Sequence, residues 1–160
     1  MEKPRQKTRL WLAVPIFLLV VGAVVGIGRH TVNADWRTAS REPLGISPDP
    51  ATYRQAVVQF YVARAYSWRG FFGVHSWIAV KPTDGLNYTV YEVIGWLAQQ
   101  GRSPLVIHQA APDRRWFGAE PRVIADLRGD SVDDIIKHID AVARKYPHVD
   151  DYALWPGPNS

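Results

Sequence analysis

Residues 73–81, GVHSWIAVK, set a histidine and a tryptophan two positions apart. Strand alternation sends His75, Trp77, Ala79 and Lys81 to one face and Val74, Ser76, Ile78 and Val80 to the other. His75 then has two readings: a core-edge ring hydrogen-bonded to a carbonyl, or a base in a cleft. Glu92, in YTVYEVIGW (88–96), reads either as a strand carboxylate paired with Lys81 or an arginine, or as a second member of a site. Trp68, Trp77, Trp96, Trp116 and Trp155 are many for a chain of this size. Most belong in the core, and Trp77 and Trp96 are the pair expected to line a cleft beside His75, suiting a lipid, peptide or sugar ligand.

Other chemistry is poorly supplied. The absence of cysteine excludes a disulfide framework, a Cys-ligated zinc and a cysteine nucleophile within these 160 residues. His108, His138 and His148 lack metal-ligand spacing and are expected to be solvated, so no metal and no cofactor is expected. The run DRRWFG, beginning at Asp113, mixes basic and aromatic side chains as a nucleic-acid contact would, but reads as a structural loop. The net charge of +4 supports that view. Lys3, Arg5, Lys7, Arg9 and Arg29 against Glu2 account for all of it, so the folded part has no basic excess for nucleic acid.

Residues 10–28, LWLAVPIFLLVVGAVVGIG, are uncharged and apolar. As a helix rising ~1.5 Å per residue this run spans roughly 28 Å, enough to cross a bilayer. Basic residues precede it, so the tail 1–9 is expected in the cytoplasm and the rest outside. A retained anchor in the bacterial inner membrane, its domain periplasmic, is the expectation; the competing reading is a signal peptide cleaved after Ala34. The lipid bilayer is thus the expected partner of residues 10–28.

Residues 29–52 read as a linker, rich in Pro, Ser, Thr and Asp over 35–52, and residues 53–160 as the exported domain. Four runs, 55–65, 71–81, 88–96 and 104–109, are rich in β-branched and aromatic residues and separated by turn formers, which predicts an antiparallel meander. Asp84-Gly85 makes the second and third hairpin neighbours. Pro121 suits the first turn of a short helix running through Leu127. A second helix is expected over 131–145, started by a capping box of Ser131 and Asp134. Its apolar stripe comprises Val132, Ile135, Ile136, Ile139, Val142, Ala143 and Tyr146. The fold expected is therefore α+β: a transmembrane helix, then a small antiparallel sheet with two packed helices. The ending LWPGPNS follows an apolar tryptophan with no element to cover it, so a domain cut short is expected.

The exported part resembles a bacterial family of membrane-anchored proteins known only as domain of unknown function 3750. The residues carrying the resemblance are ADWRTAS (34–40), VHSWIAVKP (74–82), YTVYEVIGW (88–96), DRRWFGA (113–119) and LWPGPNS (154–160). More remotely the arrangement is similar to circularly permuted papain-like proteins, the NlpC-type peptidases and lecithin retinol acyltransferases. That similarity implies an incomplete papain-like domain with His75 as general base, Glu92 as its orienter and Ser160 in the nucleophile's place, where the group usually has Cys. It implies either an envelope protein that binds without turnover or an amide or ester hydrolase or acyltransferase.

Overall fold

The computed structural model describes residues 35–150, 152 and 153. The tail 1–9, the run 10–28, the cleavage point after Ala34 and Ser160 lie outside the described residues. The chain divides into two compact units, Met1–Ala39 and Ser40–Ser160. In the first, residues 35–39 form a turn in which the Asp35 carbonyl accepts the N–H groups of Thr38 and Ala39 at 3.0 and 2.9 Å.

In the second unit, β1 (Val57–Arg64), β2 (Val74–Lys81), β3 (Thr89–Val93), β4 (Leu105–Gln109) and β5 (Arg122–Arg128) form one antiparallel sheet in the order β4-β3-β2-β1-β5. The first four strands follow the β-branched and aromatic runs, and β2 and β3 are hairpin neighbours, Ile78 opposite Tyr91. β3 ends early because Gly95–Gln100 turns into a 3-10 helix closed by Gly101 in the left-handed region.

Two expectations about helices are corrected. Residues 121–127 are not helical: Arg122–Arg128 is β5, laid along the free edge of β1 with a bulge opposite Phe60 and Tyr61. A seven-residue run fits both periods, and the unpaired N–H and C=O groups of β1 decide in favour of the strand. Pro121 sits just before the first strand residue of this edge strand, a place that tolerates its missing donor. The expected sheet with two packed helices is thus a five-stranded sheet with a single α-helix among the described residues, α1 (Val132–Ala143). This architecture replaces the incomplete papain-like domain. The transmembrane part of that expectation has no counterpart in the described fold, where no helix is long and apolar enough to cross a membrane.

The capping box is also absent: Ser131 makes no side-chain cap, while Asp133 accepts from the Thr83 N–H at 3.0 Å and its hydroxyl at 2.6 Å, tying the helix start to the loop after β2. The stripe that packs is narrower than its spacing suggests. Val132, Ile136, Ile139 and Ala143 meet Ala56, Val58, Ile78, Val80 and Tyr91, leaving Ile135 and Val142 exposed. On the opposite face Val57, Tyr61, Ala63, Trp77, Ala79, Tyr88 and Val90 gather with Trp116, and loops cover them.

Candidate functional site

β-sheet register creates the site. Trp77 lies opposite Glu92, and Glu92 opposite Val106, so His75 and His108 stand one step along the same face, each diagonal to Glu92. Long side chains bridge such diagonals. His75 Nε2 is 2.8 Å from Glu92 Oε2, and His108 Nε2 is 2.8 Å from Glu92 Oε1. The Arg114 guanidinium donates to the same Oε1 from the loop after β4. Glu92 is 3% exposed, so one buried carboxylate gathers three nitrogen groups. Burial alone would push its carboxyl up; the hydrogen bond from His75, the charge of Arg114 and the bond from His108 outweigh it and hold Glu92 below the usual carboxylate range.

The loop carrying Arg114 is built residue by residue. Trp77 Nε1–H donates to the Pro112 carbonyl at 2.7 Å, fixing the loop's start on the sheet. Buried Asp113 then accepts the N–H of Ile46 at 2.6 Å and of Ser47 at 3.3 Å, binding residues 44–47 over this face. Trp116 and Ala119 exchange both backbone hydrogen bonds, at 2.9 and 3.0 Å, across Phe117 and Gly118, whose φ values are +48° and +88°. Two successive positive φ angles make the tight hairpin turn, and glycine serves the second without strain. The turn places the Trp116 ring on His75, centroids 3.5 Å apart and planes 13° apart.

An aromatic row results. Tyr61 stacks on Trp77 at 5.5 Å, Trp77 leans on His75 at 5.6 Å, and Trp96 lies 5.9 Å beyond Trp116. Trp77 is buried and Trp96 is 44% exposed, so of the two tryptophans expected at a ligand it is Trp96 that faces solvent. With Nε2 engaged by Glu92, no hydrogen bond to His75 Nδ1 is found among the described residues. That arrangement can orient a histidine for binding or for proton transfer.

The structure brings His75, Glu92, Trp77 and Trp96 into one neighbourhood; Ser160 lies outside the described residues. Lys81 is not the partner of Glu92: it is buried at the other end of β2, donating to the carbonyls of Gln55 at 2.7 Å and Pro82 at 3.2 Å. His108, expected to be solvated, is bonded to Glu92 instead, and Arg114, read only as part of a structural loop, joins it there. Their signals were a histidine in phase with Val106 on the strand beside Glu92, and a basic pair between Pro112 and Trp116. Among the described residues no group of three His, Asp or Glu side chains is arranged to hold a metal. A shallow groove of about 430 Å³ adjoins the start of the loop carrying Arg114, walled by Pro43, Ser47, Pro48, Tyr88, Pro112 and Asp113, and does not include His75.

The family described as Protein of unknown function (DUF3750) matches residues 55–160, a stretch that holds all five strands, α1 and the whole His75–Glu92–Arg114 cluster. The chain belongs to this family. No curated protein and no solved structure matches it. In this DUF3750 domain the cluster is a carboxylate that positions two histidines and an arginine beside a tryptophan row.

Proposed function

We propose that the protein is held on the bacterial inner membrane by residues 10–28 and that its DUF3750 domain, on the periplasmic side, binds a cell-envelope ligand at His75. The carrying observation is the His75 ring fixed between the Glu92 carboxylate and the Trp116 face, beside the half-exposed Trp96. A ring held at both its edge and its face is pre-organised, which lowers the entropy cost of capture. Arg114 and the two histidines around a single carboxylate favour a ligand carrying an anionic group, and Trp96 an apolar or sugar ring against it.

The test is calorimetric titration of the full chain in detergent with three probes: a peptidoglycan disaccharide-peptide, the stem peptide alone, and short-chain phosphatidylglycerol. Binding of one probe that weakens at least tenfold, about 1.4 kcal/mol, in His75→Ala with its melting temperature unchanged supports the reading. No binding of any probe, or equal binding by His75→Ala, overturns it.

One observation favours a second reading, an amide or ester hydrolase. If the Nε2 proton points at Glu92, a neutral ring carries its lone pair on Nδ1, the state of a general base. Nδ1 would take a proton from water as its oxygen adds to the carbonyl, then pass it to the departing amine or alcohol. Mass spectrometry of the same probes after incubation separates the readings: a product heavier by one water in total, lost in His75→Ala and Glu92→Gln, selects hydrolysis.

A further inference from the structure

We infer that the connection between β1 and β2, residues 65–73, is a membrane-seating loop whose aromatic side chains enter the headgroup region of the bilayer that anchors the chain. The inference rests on the anchoring by residues 10–28 proposed above and not on the ligand site.

The loop breaks the usual pattern of a protein surface. A single exposed large apolar side chain, such as Leu86, needs no explanation. Here Trp68, Phe71, Phe72 and Val74 stand together at 54, 53, 88 and 59% exposure. Nor is the segment a loose excursion. Ser67–Phe71 forms a 3-10 turn, the Arg69 carbonyl accepts the N–H of Phe72 at 3.1 Å and of Gly73 at 2.9 Å, and Ala65 N–H donates to Gly73 at 3.1 Å. Gly70 approaches so closely that a Cβ there would lie 2.4 Å from the Ala65 carbonyl oxygen. The backbone thus holds the aromatic rings outward.

Charge and tether both point to a lipid surface. No acidic residue occurs from 50 to 83, while the loop carries Arg69 over the Trp68 ring at 5.3 Å and is preceded by exposed Arg64. Arg122 of β5, opposite Val62, adds a third cation at this end of the sheet. Tryptophan and phenylalanine flanked by arginine form the combination that sits at an anionic bilayer interface. At the far end Asp84 and Asp134 are paired with Arg54 and Lys137, so that end carries both signs.

The folded unit also begins beside the loop. The Ser40 carbonyl accepts the Gly118 N–H at 2.9 Å, Arg41 covers the Phe117 ring at 4.2 Å, and Phe117 packs on Tyr66 at 4.9 Å. Residues 29–39, even fully extended, span at most ~40 Å, so an anchor at 10–28 would hold Ser40 within that distance of the bilayer. His75 follows directly after Val74, so seating the loop would bring the candidate site to the headgroup layer.

The native chain has no cysteine, so Phe72→Cys gives one attachment point for an environment-sensitive dye on a residue that packs on little else. The full-length variant is reconstituted in vesicles of phosphatidylethanolamine and phosphatidylglycerol containing brominated lipid, with Lys137→Cys on α1 as the control. Expected is flotation with the vesicles, a blue shift and quenching at position 72, and neither at 137. Replacing Trp68, Phe71 and Phe72 together by serine should abolish quenching of a dye at Val74→Cys while flotation persists. Flotation without quenching at 72 overturns the loop proposal alone; failure to float overturns the anchor and the loop together. A bis-maleimide that links two Phe72→Cys chains, with no quenching, would assign the loop to a second copy instead.

Discussion

The two faces of the sheet are covered by different physics. On one, α1 lays Val132, Ile136, Ile139 and Ala143 on Val58, Val80 and Tyr91, an apolar contact governed by area and shape. On the other, loops lie over Trp77, His75 and Glu92, and they stay because polar groups are matched one by one: Trp77 to Pro112, Asp113 to Ile46 and Ser47, Arg114 to Glu92. An apolar face tolerates approximate complementarity. A polar face fails when one member leaves, since the remaining group is buried without a partner.

Glu92→Gln is expected to break the contrast most severely. It leaves the largely buried Arg114 guanidinium without its counter-charge, a loss of about 3–5 kcal/mol in urea unfolding; a loss below about 1 kcal/mol would mean that the carboxylate is not what holds the loop face together. The same variant carries a pH signature. Because Glu92 is held below the usual carboxylate range, its stabilisation is present above the unfolded-state value of ~4.3 and is lost as pH falls through the lower folded-state value. The stability gap between wild type and Glu92→Gln should narrow below about pH 4 and stay constant from pH 5 to about 6; a gap unchanged at acid pH would refute the assignment.

Asp113→Ala comes next, at about 2–3 kcal/mol, with amide exchange accelerating at Ile46 and Ser47 and remaining slow in α1. Accelerated exchange in both regions would show that the two faces do not behave separately. On the apolar side, Val132→Ala should cost about 2 kcal/mol by thermal melt and leave the His75–Trp116 contact, read by near-ultraviolet circular dichroism, unaltered. The smallest effect is expected from Arg54→Ala, whose pair with Asp84 lies in solvent: about 0.5 kcal/mol or less.

The same contrast explains what could be read without coordinates. The α1 face was legible because a helix writes its burial into local spacing, and four strands were legible because β-branched and aromatic runs alternate with turn residues. Even there Ile135 and Val142 fit the period yet remain exposed, since the width of the packed stripe depends on what lies beneath the helix. RVIADLR was misread because its conformation is decided by the open edge of β1, more than fifty residues earlier in the chain. His75 and Glu92 stood out as polar residues within strand-like runs. Their meeting depends on a register that sequence spacing does not specify, and Arg114 arrives through a loop held by Trp77 and Asp113, contacts with no local trace.

The position of β1 bears on how the chain reaches its native state. This strand, the most buried, lies between β2 and β5, and its partner across one edge begins at Arg122. A chain emerging from its N-terminus can zip β1 through β4 by short-range hairpin pairing while VVQFYVAR still shows one bare, strongly apolar edge. Until Arg122–Arg128 arrives, that edge is open to pairing with another molecule. The long-range closure by β5 is thus what removes that edge, and half-made chains held close together would meet through it first.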